Sequence, residues 1–307
     1  MSRRRRPDER TGPPGFLVID KPPGRTSHDV VDEVRRLAGT RRVGHLGTLD
    51  PQATGVLPLA LREATKLVSF LPALGKVYVG TVRLGIETDT LDAEGKVLRR
   101  FDGELPGAGV VELALRDFVG ETLQIPPMFS AVKKDGVPLH RRARRGEEVE
   151  REPKRVRIES IELLRFEAPD VLISVSCGPG TYVRTLAADL GARLGCGAHL
   201  KSLRRLQSGP FRIEQAITLE QLEEEARAGK LDARLIALHE ALGIEEVGLR
   251  AEAAERLRHG GDVSPGVAFR RIPGTRAIAV DEAGTALALV ELRADRRLWP
   301  LRVLQGS

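Results

Sequence analysis

Cysteine is nearly missing from this 307-residue chain, with Cys177 and Cys196 its only two. That scarcity argues against a disulfide framework, and two thiols without clustered histidines make a poor zinc site. No apolar run approaches the roughly 18 residues of a membrane-spanning helix. The basic start "MSRRRRPDER" leads into "TGPPG" rather than an apolar signal core, so the expected location is the cytoplasm. No Lys-Ser or Lys-Thr pair follows a glycine at phosphate-loop spacing, which leaves nucleoside triphosphate or dinucleotide use unsupported. Internal repeats and low-complexity tracts are also lacking. What remains is a soluble globular chain whose 41% hydrophobic content supports a sizeable core.

The net charge of +6 suggests a polyanionic partner. From Leu190 to Ile213 the chain carries Arg193, Lys201, Arg204, Arg205 and Arg212 without one acidic residue. A solvated face would mix signs, so this run reads as a phosphate-facing stripe. A second basic run, "HRRARRGEEVEREPKRVR", is interleaved with glutamates and is ambiguous. Residues 1–14, with the Arg3 to Arg6 cluster, read as a disordered basic tail.

Hydrophobic spacing orders the rest. "GFLVID" reads as a short buried strand. Thr26 or Ser27 can cap a helix whose Val30, Val31, Val34, Leu37 and Ala38 recur at helical spacing before Gly39 ends it. "VLPLAL" looks like a buried strand and "REATKLVSFL" like a short helix. β-Branched and aromatic content favours strand for "KVYVGTVRLG", with Tyr78 early in it. Further strands are expected at "RVRIESIELLRFEA" and "VLISVSC", and helices at "VVELALRDFVG", "PGTYVRTLAADLGARL" and "LEQLEEEARAG". A linker-like region around Gly243 precedes "LRAEAAERLRHGGDV" and three short β-like runs, which together look like a small appended β-rich domain. The layout is thus α/β of the α+β type, with domains at 15–242 and 245–305.

Between the first helix and "VLPLAL" lies "GHLGTLDPQATG", which sets Asp50 among glycines, threonines and a proline. His45 and Asp50 can both ligate a metal, yet two ligands five positions apart in a loop do not make a site, and no other histidine stands at metal spacing. Taken alone, an aspartate before a proline is a turn residue. Tyr78 alone would be an ordinary core tyrosine, Leu203 a core leucine and Arg184 a cover for a helix surface.

The larger pattern changes that weighing. "DKPPGRTSHDVV", "RVGHLGTLDPQATGVLPLALREATKL", "KVYVGTVRLGIETDTLDAEG", "QIPPMFSAVKKDG", "GTYVRTLAADLG" and "CGAHLKSLRR" occur in this order over residues 15 to 215. In these pieces the chain resembles the TruB family of bacterial tRNA pseudouridine synthases, which act at uridine 55 of the tRNA T-loop. The resemblance implies a pseudouridine synthase domain with a mixed, largely antiparallel sheet flanked by helices, and a small C-terminal β-rich PUA-like domain. It makes Asp50 the catalytic carboxylate, partnered by Arg184, and Tyr78 the residue that stacks on the target base. His45 and Tyr182 would contact substrate, Leu203 would wall the uridine pocket, and Lys201, Arg204 and Arg205 would meet the RNA backbone. Lys21 and Lys66 would support loops or phosphates. One position departs from the family: His140 stands where a tyrosine is common.

The chemistry suits those residue types. Pseudouridine formation breaks the C1'–N1 bond, turns the uracil and rejoins it through C5, so neither cofactor nor metal is expected. Flipping the base costs a few kcal/mol, which apolar and aromatic pocket walls offset. Desolvation disfavours a carboxylate's charged form, and an arginine partner opposes that. Of attack at C1', ring addition and elimination to a glycal, the resemblance favours the glycal. The expected partner is tRNA, through its T-loop and stem, recognised mainly by shape and single-stranded bases. No membrane or obligatory protein partner is expected, and the chain should act as a monomer. The alternatives are a tRNA-binding or folding factor without catalysis, and a guide-dependent synthase acting on another RNA. RNA-induced ordering is an open expectation for residues 133–155.

Overall fold

A computed structural model describes residues 12–72, 75–128, 133–134, 137–138, 149–265, 269 and 271–304. The Arg3 to Arg6 cluster, His140 and most of the 133–155 segment lie outside the described residues. The chain forms two compact units that do not follow chain order. One comprises residues 1–51, 55–72 and 210–307; the other comprises 52–54 and 73–209.

In the first unit, strand β1 (Gly15–Lys21) is buried along nearly its whole length and pairs antiparallel with β3 (Thr54–Leu61) from Gly15↔Leu61 to Lys21↔Gly55. Helix α1 (Ser27–Ala38) follows its sequence cues closely. Thr26 is the N-cap in a reciprocal box with Asp29, Gly39 ends the helix with φ 60°, and Val30, Val31, Val34, Leu37 and Ala38 are buried. The short strand β2 (Val43–His45) pairs with β3 and delivers the chain to the Asp50 loop. "REATKLVSF" winds as a 3-10 helix, Arg62–Phe70.

The C-terminal runs form a four-stranded sheet in the order Glu245–Gly248, Arg276–Val280, Ala286–Leu292, Leu298–Val303, its first pair parallel and the rest antiparallel. Gly243, linker-like in sequence, is the left-handed C-cap of the helix Leu238–Leu242, with φ 66°. Ile278, Val280, Leu289 and Leu304 share one core with Phe16, Val18, Val56, Ala60 and Leu67. Lys66 Nζ donates to the Leu304 carbonyl at 2.6 Å.

In the second unit, five antiparallel strands lie in the order Ala198–Ser208, Lys76–Leu84 (β4), Asp170–Cys177, Lys154–Glu167, Gly120–Gln124. Side chains alternate across each strand. On β4, Tyr78, Gly80, Val82 and Leu84 are buried while Val77, Val79, Thr81 and Arg83 are half-exposed. Val171, Ile173 and Val175 lie beside this buried row, and the helix Val183–Arg193 contributes Val183, Leu186, Ala187 and Leu190 to the core. Among the described residues no helix is long and apolar enough to cross a membrane.

Candidate active site

Asp50 is held by its flanks. Ser27, 3% exposed, donates from Oγ to the Leu49 carbonyl at 3.0 Å and accepts from the Leu49 N–H at 2.9 Å. On the other side, the Pro51 carbonyl accepts from Lys21 Nζ at 2.8 Å and from the Gly24 N–H at 2.9 Å. Lys21 is fully buried, and its ammonium also donates to the carbonyls of Pro22 and Arg25 at 2.8 and 2.7 Å. A buried ammonium is tolerated when its hydrogens are met in this way. "DKPPGRTS" and "GHLGTLDP" therefore form one clamp, with backbone fixed on each side of the half-buried Asp50. The proline after Asp50 is part of a loop pinned from outside itself, which a lone turn does not require. His45, at the end of β2, is half-buried in the same unit.

The second unit gathers Tyr78, Leu203 and Arg205 on one sheet face. Tyr78 is directly opposite Arg205, and Gly80 opposite Leu203. Gly80 makes room for that leucine: a Cβ there would lie 3.1 Å from Leu203 Cδ1. Arg205 is fully buried and hydrogen-bonds Tyr78; burial pushes its pKa down, and the tyrosine opposes that shift. A phosphate-contacting role for Arg205 is thus corrected, because its guanidinium is shut away from solvent.

The stripe does not form one continuous cationic face. Arg204, next in the chain, points to the other face of the strand and donates to Thr54 Oγ1 at 3.4 Å. Lys201 is exposed but sits 2.6 Å from Asp170 Oδ2, a carboxylate whose pKa is lowered first by its hydrogen bonds to Arg83. Arg193 pairs with Asp117. For Lys201 and Arg193 the acidic partners come from elsewhere in the chain, and strand alternation sends the neighbouring Arg204 and Arg205 to opposite faces.

Arg184 lies in the first turn of the helix Val183–Arg193 and is 5% exposed. Its Nη1 donates to Asp92 Oδ2 and to the Thr90 carbonyl, each at 3.2 Å. Asp92 is fixed in turn by Thr90 Oγ1 at 2.5 Å and by the Glu94 N–H at 3.1 Å, both on Oδ1. Sequence reasoning missed Asp92 as a site residue. The available signal was the Asp-rich turn "ETDTLDAEG", whose 92-residue separation from Arg184 hid the pairing. Tyr182 is the N-cap, half-buried, with its backbone N–H and carbonyl engaged by the Gln124 amide at 3.0 and 3.4 Å. Gln124 is buried and was likewise not singled out from sequence.

Comparison with known proteins agrees with the sequence resemblance. Residues 35–183 match the family described as TruB family pseudouridylate synthase (N terminal domain), and residues 184–243 match the tRNA pseudouridylate synthase B C-terminal domain. A protein named tRNA pseudouridine synthase B from Geobacter sulfurreducens is 50% identical over 80% of this chain and 81% of its own length. Its namesake from Syntrophotalea carbinolica is 44% identical over 90% and 88% of the two chains. Among solved structures, a chain from an H/ACA RNP bound to a substrate RNA containing 2'-deoxyuridine matches with a TM-score of 0.66 and 25% identity, covering 95% of this chain and 85% of that one. With half its residues shared over four-fifths of its length, and with family matches running from 35 to 243, this chain belongs to the TruB family of pseudouridylate synthases.

Proposed function

We propose that this chain is an isomerase that converts uridine to pseudouridine in tRNA, at uridine 55 of the T-loop. The observation that carries the reading is the clamp on Asp50. Ser27, Gly24 and Lys21 fix the residues on either side of it, which is the preorganisation a reacting carboxylate needs. The names borne by the relatives support the same activity.

In this reading the target base leaves the T-loop stack and rests against Tyr78, with Leu203 as an apolar wall. Asp50 acts on the glycosidic half of the nucleotide, and Arg184, steadied by Asp92, is the cationic member of the catalytic set. Breaking C1'–N1 and rejoining through C5 releases the C5 proton and leaves a proton on N1, so atoms balance without an outside donor. Elimination to a glycal is the favoured route. His45 and Tyr182 hold the rearranged loop, while Lys201 and Arg204 meet the backbone. The C-terminal four-stranded sheet acts as a PUA-like RNA-binding unit, and the chain works in the cytoplasm as a monomer.

The test is tritium release from tRNA carrying 5-tritiated uridine. The expected result is release by the unaltered chain, none by Asp50→Asn, tRNA binding by both, and product mapped to the T-loop. Binding without release by the folded, unaltered chain would leave an RNA-binding factor. Product at another position, or only with a guide RNA, would move the assignment to another substrate.

A further inference from the structure

Lys76 opens the Tyr78 strand, and no role above uses it. Its side chain belongs to the Tyr78 face, two residues away and so about 7 Å along the strand. Across the sheet it faces Ser208 on one side and Cys177 on the other, and neither is an anion. The Cys177 thiol, with its pKa pushed up to about 11 by burial, is neutral at pH 7. Lys76 is half-buried. Among the described residues no carboxylate acts on it; burial, and after that the Arg205 charge, hold its pKa below the ordinary lysine value. Ser208 Oγ is buried with no hydrogen-bond partner among the described residues.

Two other lysines, one buried and one half-buried, show how this protein treats an ammonium partly out of water. Lys21 is met by three carbonyls, and Lys66 by the Leu304 carbonyl and Glu63. Among the described residues, none compensates Lys76 in this way. A cation kept partly out of water beside a guanidinium is unfavourable until an anion joins it.

We propose that Lys76 binds the phosphodiester next to the target nucleotide, supplying the charge partner for that phosphate while the base rests on Tyr78. The assignment builds on the pseudouridine synthase reading, which puts the base against Tyr78. One ribose separates a base from its phosphate, and the step from Tyr78 back to Lys76 is of that order. The anion arrives only with RNA, so Lys76 rewards a nucleotide that has entered the pocket.

The test uses the full-length chain, its Lys76→Met and Lys76→Arg variants, and T stem-loop RNAs with a neutral methylphosphonate on one or the other side of the target uridine. Binding is measured across a salt series. Lys76→Met should weaken binding by about tenfold and lower the log–log salt slope by about one, as expected for one lost phosphate contact; Lys76→Arg should retain most of both. One of the two methylphosphonates should reproduce the loss in the unaltered protein and add nothing in Lys76→Met. Fully additive losses at both linkages would overturn the proposal. So would a fall of several degrees in the Tm of Lys76→Met, which would mean that the lysine serves the fold; an equal or higher Tm is expected. Because binding is read without turnover, the coupling can appear even where tritium release fails, and release with additive losses refutes the Lys76 contact alone.

Discussion

Replacing Ser27 with alanine isolates what the clamp contributes to Asp50. The hydroxyl makes two hydrogen bonds to one residue, Leu49, and both are buried. Deleting it strands an N–H and a carbonyl immediately before Asp50. A buried polar group left unsatisfied costs about 1–3 kcal/mol, so a dry site with two such groups loses about 2–6 kcal/mol and a site that admits a water loses less. Part of that cost is relieved by letting the loop move, and the movement displaces the carboxylate. At about 1.4 kcal/mol per factor of ten in rate, a loss of 1.5 to 3 kcal/mol at the reacting group slows the chemical step by about 10- to 100-fold. Single-turnover tritium release at saturating enzyme reads that step directly, and filter binding of tRNA should stay within about threefold because Ser27 itself is buried. Thermal unfolding of the same variant shows the cost to the fold. A lowered Tm with a single-turnover rate within twofold of the unaltered protein would refute the reasoning, since the bonds would then stabilise the fold without preorganising Asp50.

Asp92→Asn keeps the shape of the turn but removes the charge facing Arg184 Nη1; about a tenfold slower single-turnover rate with little change in tRNA affinity is expected, and an unchanged rate would remove Asp92 from the site. Lys201→Gln and Arg204→Gln should each lower the salt slope of tRNA binding by about one. The buried Arg205 should instead show its loss, in Arg205→Leu, as reduced turnover with the slope preserved. Stability should also depend on alkaline pH through Cys177. Its folded pKa of about 11 lies above the ordinary 9.0, so between those values the folded chain holds the proton more tightly than the unfolded one. Stability therefore falls as pH rises from 9 to 11, by up to about 3 kcal/mol. Cys177→Val should flatten that part of the pH profile in denaturant unfolding.

The sequence by itself determined the local elements and the identity of most candidate groups. The Thr26 cap, the Gly39 stop and the valine spacing of α1 act within a few residues, so they are legible without the rest of the chain. The same holds for the alternation of β4 and for the ordered motifs that lift Asp50, Tyr78, Arg184 and Leu203 out of the background. Direction was a different matter. Arg204 and Arg205 are adjacent, and alternation alone says that they part company but not which one is buried. Register shifts between Leu200 and Ser202 and between Arg205 and Gln207 reset the two-residue period. Only strand pairing could therefore set Leu203 over Gly80, Arg205 against Tyr78 and Lys76 across from Ser208. Long-range partners were equally hidden: Asp92 for Arg184, Asp170 for Lys201, and the Pro51 carbonyl for Lys21. Each depends on backbone segments brought together by the fold, and charge patterning along the chain carries no record of them.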